Sequence, residues 1–169
     1  MLVGEQPGDA EDREGEPFVG PAGTLLRRAI AEAGLDMADV YLTNAVKHFH
    51  WEERGKRRIH KKPRQSHIRA CRPWLDAELE TVKPRVVVCL GSVAAQALLG
   101  PAVRVSVEST SPIATPFGVP AVATLHPAAI LRAPDSETRD ASFARLVRDL
   151  ELAGRVARKG KASAPKAAR

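Results

Sequence analysis

The sequence lacks the disulfide-forming cysteines of many secreted proteins, the long apolar runs of membrane proteins and the phosphate-loop motif of many nucleotide-binding proteins. Only 4% of its 169 residues are aromatic, and two are cysteines, Cys71 and Cys89. Two cysteines do not make a disulfide framework, and their apolar neighbours are typical of buried thiols. No apolar run approaches the length of a membrane span, and "MLVGEQPG" lacks the basic start and apolar core of a signal peptide. These absences favour a cytoplasmic protein with no membrane partner.

Charge is distributed unevenly along the chain. The six basic residues after Gly154 account for the net charge of +6, and the remainder has 20 basic and 20 acidic residues. Within that balanced part, "GKRRIHKKPRQSH" concentrates cations around His60, whereas "GDAEDREGE" is acidic. Segregated charge indicates a polyanionic partner on one face. We expect a folded domain over residues 1–154 and a disordered basic tail over 155–169.

Apolar runs alternate with amphipathic segments, which predicts a parallel sheet between two layers of helices. The expected strands are "MLVG", "VYLTNAV", "RVVVCLG" and "PAVATLHP". The expected helices are "AGTLLRRAIAEAGL", "IRACRPWLDAELETV", "SVAAQALLG" and "ETRDASFARLVRDLELAG", with a kink or late start at Pro73. The segment "RVSVEST…PFGV" is either irregular or a short hairpin. We therefore predict an α/β fold: three layers, α/β/α, with a central, mostly parallel four-stranded sheet.

Polar side chains follow the predicted strands at the sheet edge where such folds bind ligands. Glu5 and Gln6 follow the first strand in "GEQPG", which lacks the lysine and spacing of a phosphate loop. Asn44 either reads a base edge with its amide or caps a turn. His126 either donates to a developing oxyanion or is structural, and Phe18 either stacks on a base or belongs to the core.

The basic segment around His60 leaves the second strand at the same edge. Its residues fit a solvated loop, a nuclear-import signal, a nucleic-acid-binding arm, or an arm that carries a reactive histidine. The residue pattern by itself leaves these alternatives open.

Several motifs taken together resemble the family 4 uracil-DNA glycosylases. "GEQPGDAED", "PFVGPAGTLL", "TNAVKH", "ACRPWL", "PRVVVCLG" and "LHPAAILR" occur in that family's order and at roughly its spacing. "GEQPG" and the insertion with "KRRIH" are similar to the X-type subgroup. The resemblance covers residues 2–154 and implies a uracil-DNA glycosylase fold and a role in DNA repair.

The resemblance implies a role for each matching residue. The residue matching Phe18 stacks on a uracil flipped out of DNA, the one matching Asn44 bonds its polar edge, and the one matching His126 stabilises the departing anion. In X-type members, the histidine matching His60 attacks the sugar C1′ and stays attached, and the residue matching Glu5 is needed for that chemistry. The pocket is expected to include Gln6, Gly8 and Asp9, and the DNA backbone to contact Lys56, Arg57, Arg58 and Lys61.

The chemistry is consistent with these implied roles. Cleavage of the glycosidic bond produces a positive sugar and a negative base, and donors at the base stabilise that anion. The cations around His60 are expected to hold DNA phosphates and to disfavour the protonated imidazole, leaving it able to attack. Glu5 either orients the imidazole or assists departure of the base.

The family also carries a four-iron, four-sulfur (4Fe-4S) cluster on four cysteines. Two of them match Cys71 and Cys89, and the other two form an N-terminal C-x-x-C that this sequence does not contain. Two thiolates cannot hold a four-iron cluster. We expect that the chain starts too late, as its opening directly in a strand also indicates; the alternative is that this variant has lost the cluster.

Three functions remain open at this stage. The first is a glycosylase that excises uracil and forms a covalent adduct through His60, in effect a single turnover. The second is an ordinary family 4 glycosylase that turns over, and the third is a non-catalytic nucleic-acid-binding module. The expected partner is uracil-containing DNA, preferably single-stranded, bound by a monomer.

Overall fold

The computed structural model describes residues 1–105 and 111–162 of the chain. The strands in this part are β1 (Leu2–Gly4), β2 (Leu42–Asn44), β3 (Trp51–Arg54), β4 (Arg57–His60), β5 (Val87–Leu90) and β6 (Ala121–Thr124). The helices are α1 (Asp9–Glu14), α2 (Pro21–Glu32), α3 (Gln65–Val82), α4 (Ser92–Leu99), α5 (Pro127–Leu131) and α6 (Ser136–Ala162). A 3₁₀ turn spans Met37–Asp39.

The central sheet has four parallel strands within the described residues, in the order β2-β1-β5-β6. Val3 of β1 pairs with Thr43 on one side and with Cys89 on the other. Because the strands are parallel, their carboxyl ends lie at one edge of the sheet. The loops that start at Glu5 and Gly91 and the loop after β6 leave the sheet at this edge. The predicted parallel sheet is confirmed.

Helices cover both faces of the sheet, and each face has its own apolar cluster. On one side, Leu75 of α3 packs in a cluster with Val87 of β5. On the other, Leu26 of α2 and Leu146 of α6 share a cluster with Val88. Successive residues of a strand point to opposite faces, so the continuous apolar run in β5 supplies both clusters. The predicted three-layer α/β/α architecture is confirmed.

The basic segment forms a β-hairpin, which the sequence did not indicate. Trp51 of β3 pairs with His60 of β4, and Arg54 pairs with Arg57 in antiparallel register. Gly55 turns the chain with a φ of +62°, in the left-handed region that glycine adopts without strain. The segment leaves β2 at the predicted edge of the sheet, but as a paired ribbon.

Helix boundaries differ from expectation in several places. The acidic segment after β1 forms α1, and α5 follows β6 directly. Helix α3 begins at Gln65 and contains Pro73 in its interior, so the predicted late start at the proline does not occur.

Helix α6 continues past Gly154, so residues 155–162 of the expected disordered tail are helical. A Cβ atom at Gly154 would lie 2.7 Å from Leu35 Cδ2, so the glycine gives packing space and does not end the helix. Residues 163–169 of the expected tail lie outside the described residues.

The segment predicted to be irregular or a short hairpin lies partly outside the described residues, which omit 106–110. In its described remainder, Ile113 forms an antiparallel bridge with Ala121, and Thr115 and Gly118 are joined in a turn. Within residues 1–105 and 111–162, none of the helices combines the length and apolar composition needed to cross a bilayer.

Candidate active site

A cavity of about 700 Å³ opens at the carboxyl edge of the sheet. It receives residues from the turns after β1, β5 and β6, from the end of β2 and from the end of the β-hairpin. The sequence-predicted residues that line it are Glu5, Gln6, Gly8, Phe18, Asn44, His60 and His126. The fold therefore brings together residues that are up to 121 positions apart along the chain.

Phe18, Asn44 and His126 form the floor of the cavity. Phe18 has a strained backbone conformation. Its φ of +59° lies in the left-handed region, which costs a non-glycine residue on the order of 1–3 kcal/mol. Arg27 Nη1 donates a 2.6 Å hydrogen bond to the Phe18 carbonyl, which holds this conformation. The ring is nearly buried and lies 6.2 Å from the His126 ring at an interplanar angle of 29°. The two rings thus form adjoining surfaces of one slot.

Asn44 ends β2 and lies in the buried floor of the cavity. Its paired residue on β1 is Gly4. A Cβ atom at Gly4 would lie 2.3 Å from Asn44 Oδ1 and 2.6 Å from Phe18 Cζ. Gly4 therefore leaves the space in which the amide and the aromatic ring come together, a role that "MLVGEQPG" did not reveal.

His126 is the N-cap of α5, and this role fixes which ring nitrogen carries the proton. Its Nδ1 accepts a 3.2 Å hydrogen bond from the Ala128 N–H. In the neutral imidazole, Nε2 must then be the N–H donor. Burial lowers the pKa of His126 below its ordinary value, Arg132 and His60 lower it further, and Glu5 and Glu11 oppose this. The cavity thus contains a neutral imidazole with a donor available.

Glu5 and His60 meet at the rim of the cavity. His60 Nε2 lies 3.3 Å from Glu5 Oε1, and the His60 ring is 6.1 Å from the Phe49 ring. The His60 side chain is 50% exposed, so it remains accessible to a molecule entering the cavity. The predicted partnership of these two residues has a direct contact in the structure.

Gln6 joins the hairpin to the sheet edge. Its Nε2 donates to the carbonyls of His50 and Lys61, each at 3.1 Å, and its Oε1 accepts from the His50 N–H at 3.2 Å. The amide therefore connects His50, before strand β3, to Lys61, after strand β4, at the base of the hairpin next to His60. The sequence predicted a substrate contact for Gln6; its described hydrogen bonds are to the protein backbone.

Arg58 is held by carboxylates of α1 instead of extending from the hairpin. Its Nε bonds to Asp9 Oδ1, and its Nη1 lies 2.6 Å from Asp12 Oδ2. The Arg13 and Arg58 side chains lower the pKa of Asp9. Asp9, expected in the pocket, therefore fastens the hairpin to α1, and Arg58, expected on DNA, is its partner.

The other predicted DNA-binding cations are more accessible. Lys56 and Arg57 are exposed at the tip of the hairpin. Lys61 Nζ forms a 2.8 Å ion pair with Glu52, and both side chains are about half exposed. Exposed ion pairs contribute little to stability, so the pairing of Lys61 with Glu52 is a weak constraint on this side chain.

Glu11 is a residue that sequence reasoning missed. Its Oε2 accepts from the Gly8 N–H at 3.1 Å, and its Oε1 accepts from the Gly20 N–H at 3.0 Å. One carboxylate therefore joins the turn after β1 to the turn after Phe18. Its position three residues after the Gly8 N-cap is the available sequence signal, because an acidic residue there commonly reaches back to the cap.

Cys71 and Cys89 are both buried in the cluster beneath α3 and α4. Cys71 Sγ accepts from the Lys47 N–H at 3.3 Å and lies 3.6 Å from His48 Nδ1. Burial raises the pKa of the Cys89 thiol to about 12. Within the described residues, no group of three or more ligating side chains could hold a metal ion. The residues present therefore do not fit the four-thiolate requirement of a 4Fe-4S cluster.

The chain matches the uracil DNA glycosylase superfamily model over residues 1–151. It is 34% identical over 140 residues to a type-4 uracil-DNA glycosylase of Thermotoga maritima. This alignment covers 82% of this chain and 69% of the relative. It is 42% identical over 96 residues to the type-4 enzyme of Archaeoglobus fulgidus (57% and 45%) and 38% identical over 99 residues to that of Pyrobaculum aerophilum (59% and 47%). In the latter two alignments, the chain spans about half the length of the relative.

The chain therefore belongs to the uracil DNA glycosylase superfamily. Within it, the resemblance to the type-4 glycosylases is confirmed by these relatives. The narrower resemblance to the X-type subgroup stays a prediction that rests on "GEQPG" and "KRRIH".

Proposed function

We propose that this protein excises uracil from DNA and that His60 then captures the exposed sugar in a covalent adduct. The observation that carries the proposal is the placement of His60. Its imidazole contacts Glu5 at the rim of the cavity that Phe18, Asn44 and His126 line. A base in that cavity would leave its deoxyribose at the rim, within reach of the hairpin.

The cavity floor fits the first half of the reaction. Phe18 offers a ring face to a flipped base, and the Asn44 amide offers both a donor and an acceptor to its polar edge. When the bond between C1′ and the base breaks, its electron pair goes to uracil. The Nε2–H of neutral His126 is suited to donate to the carbonyl oxygen on which that charge develops.

The hairpin fits the second half. An unprotonated ring nitrogen of His60 attacks the electron-deficient C1′. The new carbon–nitrogen bond replaces the broken bond between C1′ and uracil. The imidazole becomes positively charged until its remaining N–H proton is lost. The Glu5 carboxylate, 3.3 Å from Nε2, stabilises that charge, and the half-exposed ring releases the proton to solvent.

A denaturing gel tests the proposal directly. The protein is mixed with a single-stranded oligonucleotide containing one uracil, and separately with its thymine counterpart and with duplex. We expect a heat- and detergent-stable protein–DNA band with the uracil strand, absent with thymine and strongest with single-stranded DNA. His60→Ala should abolish the band, while His48→Ala, an exposed histidine outside the cavity, should retain it.

An ordinary glycosylase that turns over is the second candidate, favoured by the names of the type-4 relatives. It predicts free abasic strand in excess over protein and no stable band, an outcome that would refute capture. A non-catalytic binding module predicts binding indifferent to uracil and steeply dependent on salt. Asn44→Ala separates the last case, because it should impair uracil excision but leave simple phosphate binding unchanged.

The proposal assigns no reaction step to an iron–sulfur cluster. Cys71 and Cys89 do not line the cavity, and among the described residues no set of ligating side chains fits such a cluster.

A further inference from the structure

Trp51 is an exposed aromatic residue beside His60 that the proposed reaction does not use. It pairs directly with His60 across the β-hairpin. Directly opposed residues of an antiparallel pair project from the same face, with Cβ atoms about 4.5–5.5 Å apart. The indole therefore stands next to the imidazole on the face directed to the cavity rim. Trp51 is 39% exposed. One of the few aromatic residues of this chain, which make up 4% of the sequence, therefore lies at the surface.

The indole is held in place on one side by a cation. The Arg58 guanidinium carbon lies 5.5 Å from the centre of the Trp51 ring and 5.3 Å from that of Phe49. Arg58 is itself fixed by Asp9 and Asp12. An aromatic ring oriented in this way and still partly open to solvent is a preorganised stacking surface, because little side-chain freedom remains to be lost on binding.

We propose that Trp51 stacks on the nucleobase adjacent to the flipped uracil in single-stranded DNA. This inference rests on the proposed function, since it places the uracil sugar at His60. When a nucleotide is flipped, its neighbour loses one stacking partner, and a protein ring can replace it. Stacking tolerates every base because each has a π-face, so the contact would hold the strand without adding sequence preference.

Cations on both faces of the hairpin favour a nucleic-acid strand as the occupant. Arg58 lies on the face of Trp51, Arg57 and Lys61 lie on the opposite face with their partners Arg54 and Glu52, and Lys56 is exposed at the turn between the two strands. Aromatic rings interleaved with cations are the common means of holding a single strand, the cations following phosphates and the rings receiving bases. Ile59, also exposed, is on the opposite face of the hairpin, paired with Glu52.

A double-mutant design between protein and DNA tests the contact. Oligonucleotides carry one uracil and a base-free nucleotide analogue immediately 5′ to it, immediately 3′ to it, or four positions away. With the wild type, we expect one of the two adjacent analogues to weaken binding about tenfold. Trp51→Ala should cause a similar loss on normal DNA and no further loss on that analogue. The distant analogue should have little effect with either protein.

Fluorescence supplies a readout that a merely structural Trp51 would not change. The chain has two tryptophans, so Trp74→Phe leaves Trp51 as the single indole. Trp74 is exposed on α3 and does not line the cavity, so this variant should release uracil as the wild type does. Addition of a strand with 2′-fluorinated deoxyuridine, which resists cleavage, should quench the emission; the same strand with the sensitive neighbour removed should quench it much less.

The outcomes separate this inference from the function beneath it. If wild-type protein releases uracil but Trp51 emission is unchanged by DNA, or if the losses from Trp51→Ala and the base-free neighbour simply multiply, the stacking contact is refuted and excision stands. If no uracil is released from any substrate, the proposed function itself fails. Trp51→Phe guards against misfolding: it should retain most of the binding that Trp51→Ala loses.

Discussion

The floor of the cavity and the β-hairpin beside it are held by different forces. Phe18 and Asn44 are 4% and 7% exposed and belong to the interior that the sheet and helices form. The His60 side chain is 50% exposed. The hairpin is fastened largely by polar contacts, which include those of the Gln6 amide, the ion pairs of Arg58 and the contact between His60 and Glu5.

The difference predicts that the two halves of the proposed reaction, recognition of a base and attack on its sugar, are separable by mutation. The floor residues are buried in the interior, so their positions depend on the packing of the sheet and helices. The hairpin brings His60 to the rim through a few polar contacts, so substitutions in it are expected to leave the floor in place. The predictions below test that separation, beginning with the largest expected effect.

The floor should control uracil release. His126→Ala removes the Nε2–H donor, and loss of one such donor commonly lowers the rate by about 10²–10³. Capture should fall in parallel, since it follows release. Single-turnover measurement of free uracil checks this prediction, and a loss below threefold would contradict it. His126→Asn serves as a control, because it retains an oxygen that can cap α5 while removing the imidazole.

The fastening of the hairpin should control capture and spare release. Arg58→Gln removes the ion pairs with Asp9 and Asp12, and the resulting misplacement of His60 is expected to slow adduct formation by roughly ten- to a hundredfold. Uracil release at saturating DNA should stay within about twofold, because Arg58 does not line the cavity and a looser hold on Trp51 would lower affinity instead. Arg57→Gln is the matched control on the exposed side. Equal losses in both reactions would show that the hairpin and the floor act as one unit.

The buried imidazole of the floor should make stability depend on pH. Burial lowers the pKa of His126, whereas the unfolded chain has the ordinary histidine value of about 6.5. As the pH falls below that value, the unfolded state binds a proton that the folded state resists, so the free energy of unfolding decreases. Denaturant titrations between pH 7.5 and pH 5 measure this slope. His126→Gln should flatten it, and identical slopes in the two proteins would refute the assignment.

The smallest effect is expected at the tip of the hairpin. Lys56→Ala removes one exposed cation, which should lower affinity for single-stranded DNA modestly and reduce the slope of log affinity against log salt by about 0.7. The rate of release at saturating DNA should be unchanged. Filter binding at several salt concentrations checks the slope. An unaltered slope would place the tip away from the phosphates.

Much of the sheet was predictable, because a buried parallel strand has a distinctive composition. "RVVVCLG" and "PAVATLHP" are continuous apolar runs, and the polar residues after them had to converge at one edge. That reasoning was enough to bring Glu5, Asn44 and His126 together, and the structure places all three around one cavity.

The hairpin was not predictable from its own residues. Its strands carry charges on both faces and have no apolar alternation, so their pairing is concealed. The contacts that fasten it come from Gln6 and from α1, about 50 positions earlier in the chain. The left-handed conformation of Phe18 is likewise imposed by a distant group, Arg27, and non-glycine residues rarely signal it locally.

Glu11 fixes the distance between two turns of the chain through the two oxygens of its carboxylate. One oxygen holds the Gly8 turn and the other holds the Gly20 turn, so the separation of the two turns is set by one side chain two methylenes long. Shortening it to aspartate would leave at least one turn without its hydrogen bond, and the cavity would lose a support on the side of Gly8.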